Sequence, residues 1–486
     1  MALTKISTDG VKDDAITKAK IPADQIEASE LANNAVDTNA IQDEAVTLAK
    51  LEHGDANNDG KFLRANNGAD PSYEAIAQPD LTNLSASNLT SGTIPDARFP
   101  SALPAVSGAN LTNLPPGAIT NLIQNGNMAV HQRWGGSADT TNGWGSADRF
   151  RLEYVNTVNS VSQNIVRLSS SSGNADDPFD VGIKNIFQIT NGNQTSTATN
   201  AMVSMAYGAL ARDLLHSGWD HTSSSSYLTL SYYVRSSVAG TFYGRVYTPL
   251  GGGKHFAWST GALTANTWKR VTVQIPGDSS FDIALNSSAD LTSFLFYFSC
   301  YAGTSTTDSS SPTTAWGAVS GSNQYPDYAN DNWYSTNGAT MEFTGVQLEA
   351  GQTANPFVHE PYETTLRKCQ QYYFIACSDN YEILGIGHQY YSGNIFVSVP
   401  FPIEMIAEPT LIALSAASGA YMYEKLHNNA ATYIHQISLE SSKTSHSRAC
   451  IIIYGDASRA GQSVRVAAHW TASNSHKFVA FQAELS

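Results

Sequence analysis

Branched apolar residues recur at every fifth position at the start of the chain: Ile6, Val11, Ile16, Ile21, Ile26, Leu31, Val36, Ile41, Val46 and Leu51. The phase holds without a miss across these ten positions. An amphipathic helix repeats its apolar face at spacings of three and four, and a half-buried strand at two. A period of five matches neither and predicts an elongated, repetitive structure, not a globular one. Two architectures satisfy it: one chain coiled around its own fifth residues, or several identical chains burying those residues on a shared axis. The residues between are small, polar or charged, as in Thr4, Lys5, Ser7, Thr8, Asp9 and Gly10. One apolar residue in five gives a single chain little to bury, which favours the shared axis. The alternative is an acidic leader with short Ala-rich helices over residues 13–20 and 43–50.

The period returns at Leu84, Leu89, Ile94 and Phe99, and the Leu-Thr-Asn-Leu unit of residues 81–84 recurs at 111–114. Pro95, Pro100, Pro104, Pro115 and Pro116 suit turns better than a sheet interior. Residues 1–51 therefore read as a pentad-repeat stalk, and residues 52–120 as a linker with resumed repeats. Beyond residue 120 the period drops to two. Alternation marks strands at 227–235, 241–247, 268–275, 291–301 and 341–349. Leu228, Leu230, Tyr232 and Val234 share one face of the first, and Phe294, Phe296 and Phe298 one face of the fourth. The Gly, Ser and Asn turns between them predict a jelly-roll-like β-sandwich over residues 121–360, with 302–332 as a long polar surface loop. A short helix over 364–371 leads into a strand from 372. Further strands at 395–399, 432–439, 449–454, 463–469 and 476–483 predict a C-terminal β-sandwich over 361–486. The fold class is thus all-β: an elongated stalk of pentads followed by two sandwiches.

Composition narrows the functional classes. The 486 residues carry a formal net charge of -15, yet only 14% are charged. An acidic chain lacks the basic face that meets phosphates, so no nucleic-acid partner is expected. No apolar run is long enough to span a membrane, and no apolar stretch of the signal-peptide kind follows Met1. Cys300, Cys369, Cys377 and Cys450 lack metal-ligand spacing and read as buried free thiols. Asp55, Asn57, Asp59 and Gly60 match the first half of a calcium loop, but Asn66 stands where the bidentate Glu belongs, so a plain turn is expected. His216 with His221, and His469 with His476, form no zinc motif. Residues 251–254 lack the rest of a phosphate loop and read as a hairpin turn. No cofactor and no metal site is expected.

Several segments carry a family likeness. Residues 121–133 (Asn-Leu-Ile-Gln-Asn-Gly-Asn-Met-Ala-Val-His-Gln-Arg) and 146–150 (Ser-Ala-Asp-Arg-Phe) resemble the domain opening of tail fibre and tail-associated proteins of tailed bacteriophages. Residues 356–363 and the Cys-Gln-Gln-Tyr-Tyr run at 369–373 resemble the junction at which, in those proteins, a carbohydrate-module-like sandwich hands over to a terminal domain. Residues 59–66, 70–73 and 91–98 are similar to fibre linkers, and the likeness extends to proteins of marine cyanobacterial phages. The resemblance implies a homotrimer in the virion tail. Its N-terminal part would meet other tail or adaptor proteins, and its distal domains the host surface. It thereby assigns Ile6 to Leu51 to a threefold axis, in agreement with the pentads.

The implied ligand is a host-envelope polysaccharide or lipopolysaccharide. Sugars offer apolar faces to aromatic rings and hydroxyls to polar side chains. Trp316, Tyr325, Tyr328, Trp333 and Tyr334 gather in the long insertion with Asp327 and Asp331, and form the first candidate surface; Tyr421, Tyr423 and His427 form a second. The alternative is that the same rings pin the loop to the sandwich or to a neighbouring subunit. A cleaving tailspike would need two carboxylates flanking the glycosidic bond. Asp327 with Asp331, and Asp176, Asp177 and Asp180, read better as turn residues, so no enzyme is expected. Reversible attachment is the leading function; a structural virion connector or tail nozzle component, and a glycan-cleaving tailspike, are the alternatives. If the pentads form an intersubunit shaft, the full chain sediments as a trimer, and Ile16→Ser with Ile26→Ser moves it toward monomer; a wild-type monomer in analytical ultracentrifugation refutes the shared axis.

Overall fold

The structure is a computed structural model of the chain. It describes Thr17, Ile21, residues 61–66 and 69–75, and residues 121–484 except 135, 171–173, 196–198, 250–252, 282–291, 309–312, 319–323, 327–330, 379–381, 392–393, 414–420, 426–430, 435–436, 455–462 and 469–478. Two compact units divide the chain, Met1–Leu111 and Thr112–Ser486. Of the ten pentad positions only Ile21 is described, 37% exposed; the others, and Asp55 to Gly60, lie outside the described residues. In this unit β1 (Phe62–Asn66) and β2 (Ala69–Glu74) pair as an antiparallel hairpin within the segment read as a linker.

The second unit begins with a two-layer sandwich. Its strands are β3 (Phe150–Val155), β4 (Ser162–Arg167), β5 (Asn185–Thr190), β6 (Met202–Leu210), β7 (Tyr227–Ser236), β8 (Gly240–Thr248), β9 (Lys254–Leu263), β10 (Lys269–Pro276), β11 (Thr292–Ala302), β12 (Trp316–Ala318) and β13 (Thr340–Ala350), with short helices α1 (Ala211–Leu215) and α2 (Asp331–Ser335). One sheet runs β10-β7-β13-β5-β4 and the other β12-β9-β8-β11-β6-β3, each antiparallel throughout. Leu228, Leu230, Tyr232 and Val234 of β7 face Phe294, Phe296 and Phe298 of β11 across one core, as their alternation predicts. The Tyr232 and Phe298 rings meet edge to face at 4.8 Å, and Trp258 Nε1 donates to the Tyr232 hydroxyl at 3.0 Å, so the buried phenol has a partner.

The two outer faces differ. Leu168, Ile183, Ile186, Tyr233 and Trp268 form a second small core over the five-stranded sheet, with Phe357 packed against it. Trp268, read as the start of a strand, instead precedes β10 and fills this layer. The six-stranded sheet has no such layer among the described residues. The segment 302–332 is also not a plain surface loop. It contributes the edge strand β12 and sends Tyr325 into the interior.

The C-terminal part opens with α3 (Tyr362–Gln370), close to the helix expected there. It continues through β14 (Tyr373–Cys377), β15 (Ile383–Tyr391), β16 (Asn394–Pro400), β17 (Thr410–Ala413), β18 (Tyr421–Lys425), β19 (Ala431–Ile434), β20 (Ile437–Leu439), β21 (Arg448–Tyr454), β22 (Ser463–Ala468) and β23 (Val479–Gln482). The strand expected over 432–439 is two short strands, paired with β18 and β21 respectively. A three-stranded sheet, β14-β23-β17, and a seven-stranded sheet, β19-β18-β22-β15-β16-β21-β20, enclose one core that includes Val464, Val466, Ile451 and Phe481.

Three of the segments that resemble phage proteins, residues 121–133, 146–150 and 369–373, meet where the two sandwiches join. Asn125, in the left-handed region at φ 60°, holds its loop by donating to the carbonyls of Val130 (2.7 Å) and Asp148 (2.8 Å) and accepting from Val130 N. At Gly126 a Cβ atom would lie 1.9 Å from the Val346 carbonyl oxygen, so only glycine lets this loop reach β13. The loop presents Arg133 toward Tyr373 and the next motif presents Arg149 toward Tyr372, with guanidinium carbons 3.6 Å and 3.5 Å from the ring centroids. Glu484, two residues past β23, accepts from Arg149 at 2.7 Å and from Arg133 at 3.3 Å. All three side chains are buried. Gln132 adds a bond to the Tyr373 carbonyl at 3.0 Å. Replacing Glu484 by Ala strands two buried guanidinium groups, and breaking such a pair costs about 3–5 kcal/mol. Urea denaturation of the full chain should show a loss of that order; a loss under about 1 kcal/mol, the range of an exposed pair, contradicts the buried assignment.

Candidate functional site

The predicted aromatic cluster does not form one surface. Trp333 and Tyr334 are buried in the sandwich core, where Tyr334 stacks on Tyr301 at 4.0 Å and Trp333 Nε1 donates to the Thr340 carbonyl. Tyr325 is buried as well. Trp316 is half-buried, edge-on to Phe281 at 4.7 Å, with its Nε1 donating to the Pro276 carbonyl at 2.7 Å. Polar residues surround these rings in sequence, yet Trp333 and Tyr334 enter the core and Tyr325 packs against Arg245, because burying large aromatic area offsets the cost of ordering a long insertion. Asp327, Tyr328 and His427 lie outside the described residues; for Asp331, Tyr421 and Tyr423 only the backbone is described.

Two of the carboxylates considered for hydrolysis are tied to local structure. Asp176 accepts from the Arg270 backbone N–H and Asp177 from that of Phe179. His216 Nδ1 meets the Arg212 carbonyl oxygen at 2.8 Å, one turn back along α1. Among the described residues no group of three His, Cys, Asp or Glu side chains is placed to hold a metal, and no helix is long and apolar enough to cross a membrane. All four cysteines are free thiols; burial pushes Cys300 and Cys369 well up, and Cys377 up to about 12, so these three resist forming the nucleophilic thiolate.

What remains is the outer face of the six-stranded sheet. Strand register sets three parallel rows across it. Glu153, Ser204, Ser299, Tyr243 and Ser259 form one row, and Arg151, Ala206, Tyr297, Arg245 and Ala257 the next. The third is Gly208, Leu295, Tyr247, His255 and Gly317. The opposite parity of the same strands, Phe242 and Val246 in β8 and Phe256 and Trp258 in β9, lies in the core. Tyr243, Tyr247 and Tyr297 stay partly exposed between small neighbours. The face thus offers aromatic rings, hydroxyls, one Arg–Glu pair (Arg151 with Glu153) and one further guanidinium.

Arg245 lies 4.4 Å from the Tyr297 ring centroid and 5.1 Å from that of Tyr325, which the insertion folds back onto this face. The Tyr325 hydroxyl accepts from Ser299 Oγ at 2.6 Å, and Ser299 Oγ is 3.0 Å from Ser204 Oγ. His255, diagonal to Arg245, is 1% exposed, and Arg245 is 7% exposed. Neither His255 ring nitrogen has a hydrogen-bond partner among the described residues, nor does Arg245 Nε. Leaving such a group buried and unpaired costs about 1–3 kcal/mol. Burial, and then the Arg245 charge, hold the His255 pKa below the usual histidine value. Burial foremost pushes the Tyr297 hydroxyl up to about 12, with Glu153 adding to the rise and Arg245 opposing it.

No family model and no curated protein matches this chain. Solved structures give a distant likeness only. The chain is similar to the enzymatically active domain of tailspike protein 4 from bacteriophage CBA120, at 10% identity and a TM-score of 0.24, over 48% of this chain and 21% of that one. It is similar to the tandem CBM22-1–CBM22-2 domain of Paenibacillus barcinonensis Xyn10C at 10% identity and 0.24, over 77% and 100%. A putative sugar-binding protein from Bacteroides thetaiotaomicron gives 12% identity and 0.24, over 48% and 100%. At these scores the likeness assigns neither family nor activity. The chain spans about a fifth of the tailspike's length.

The tyrosines and Arg245 escaped notice in the sequence because residues 241–247 read simply as a strand. The usable signal was the alternation itself, with Tyr243, Arg245 and Tyr247 on one parity and Phe242 and Val246 on the other. The lowered His255 pKa has a stability consequence. The unfolded chain takes up this proton as pH falls through about 6.5, whereas the folded chain does so only at lower pH. The stabilisation is therefore complete above that value and lost below it. The urea midpoint should fall between pH 7 and pH 5, and His255→Gln should flatten that slope; an unchanged slope contradicts a neutral buried imidazole.

Proposed function

We propose that the chain is a trimeric tail-fibre or tail-associated protein of a tailed bacteriophage, sited in the virion tail. In this reading it attaches to host-envelope polysaccharide or lipopolysaccharide by non-catalytic, multivalent binding. One observation carries it: the outer face of the six-stranded sheet, where Tyr243, Tyr247 and Tyr297 stand partly exposed beside charged and hydroxyl side chains. Such rings pack against the apolar faces of sugars while polar neighbours meet the hydroxyls. Three copies on one shaft let individually weak contacts hold together. The sequence resemblance of residues 121–133, 146–150 and 369–373 supplies the phage setting, and the pentads supply the shaft and the link to other tail proteins.

A structural virion connector is the second reading, and one observation favours it. On β15 of the seven-stranded sheet, Ile383 is 51% and Ile386 64% exposed, which suits contact with protein better than with sugar. Calorimetry of the full chain with purified host-envelope polysaccharide separates these readings. The attachment reading expects saturable binding that Tyr297→Ala weakens about tenfold, without shortening of the polymer. Shortened polymer restores the cleaving tailspike. No saccharide binding, with tight binding to other tail proteins, makes the chain a connector.

A further inference from the structure

We infer that the saccharide taken by this face is acidic, and that its anionic group, a carboxylate, sulfate or phosphate ester, seats against Arg245 and His255. The inference rests on the glycan reading above and narrows its ligand class.

The first reason is a missing counterion. Five other arginines of this sandwich, Arg133, Arg149, Arg151, Arg212 and Arg235, each pair with a carboxylate, whereas Arg167 and Arg270, like Arg245, have none among the described residues. Arg245 pairs with none among the described residues, although the chain is acidic overall. Glu153, which lies near Tyr297 on the same face, is engaged by Arg151. The second reason is a set of idle polar groups. Arg245 Nε and both ring nitrogens of His255, one a donor and one an acceptor in the neutral ring, are buried without hydrogen-bond partners among the described residues, on diagonal positions of the β8–β9 pair. A guanidinium offers a planar fork that matches two oxygens of one anionic group, and a neutral imidazole adds one further N–H. A sugar hydroxyl accepts one such bond but leaves the charge uncompensated. The third reason is the surroundings. Tyr297 and Tyr325 hold the guanidinium in place by its faces, so its edge is directed before any ligand arrives.

The test compares the full-length chain with oligogalacturonate, a sulfated galactan oligosaccharide, a phosphomannan oligosaccharide and a neutral galactan oligosaccharide by calorimetry at low and high salt. The expected result is binding of at least one acidic probe about tenfold or more tighter than the neutral one, weakening as salt rises. Arg245→Gln should abolish the preference, Arg245→Lys should retain part of it, and His255→Gln should reduce it. Should Arg245→Gln fail to fold, the wild-type probe panel and its salt dependence still decide. The acidic probe that binds identifies the anion. Equal binding of neutral and acidic probes overturns this inference and leaves the glycan reading intact. Binding of no saccharide at all overturns both.

Discussion

Arg133 and Arg149 reach the same carboxylate, Glu484, from two different loops, and each lies over a tyrosine of the following domain. Charges removed from water are costly unless paired and hydrogen-bonded, so this arrangement tolerates few alternatives. It requires the loop opened by Asn125, the glycine at 126, the left-handed backbone of Arg149 at φ 71°, and a chain end that returns to the joint. A left-handed non-glycine residue costs about 1–2 kcal/mol, which Arg149 recovers through its bonds to Glu484 and to the Gly208 carbonyl. The joint therefore couples the packing of the two sandwiches to the integrity of both. It also gives residues 121–133, 146–150 and 369–373, which resemble segments of phage proteins, a common place in the fold.

With one sandwich end occupied by the joint, and one sheet covered by the small core around Trp268 and Tyr233, the first sandwich has the six-stranded sheet left to present. That sheet sets Tyr243, Tyr247 and Tyr297 among polar side chains, whereas the other places polar pairs such as Arg235 with Glu342 beside its small core. The insertion after β11 contributes to it through Tyr325, yet spends Trp333 and Tyr334 on the core. Rings on the outer side of the six-stranded sheet and rings of the core thus come from the same stretch of chain. Residue type and neighbourhood in sequence do not distinguish them, because the sorting depends on which sheet each ring meets.

Much of the architecture was legible in advance. The period-two alternation marked strands at β7, β8, β10, β11 and β13, and the faces expected to be shared by Leu228, Leu230, Tyr232 and Val234 and by Phe294, Phe296 and Phe298 lie in the core, since a pleated strand turns alternate side chains to one side. The helix before β14, expected over 364–371, spans Tyr362–Gln370. Strands β3 to β6, β9, β15 and β18 were not read, because residues such as Ser204, Gly208 and Gly387 dilute the alternation where neighbouring strands or loops approach closely.

What the sequence determined by itself was local: the all-β character, the turns, the strand parity and the pentad period, all of which follow from the short-range geometry of one chain segment. The tertiary structure decided what lies far apart in sequence and adjacent in space. It placed Glu484 between Arg133 and Arg149, 351 and 335 residues earlier, and it set Arg245 and His255 on diagonal positions with no carboxylate paired to Arg245 among the described residues. No spacing rule encodes such meetings. They arise only when strand order and register bring distant residues to one face, and the cost of an unpaired buried charge then selects which meetings persist.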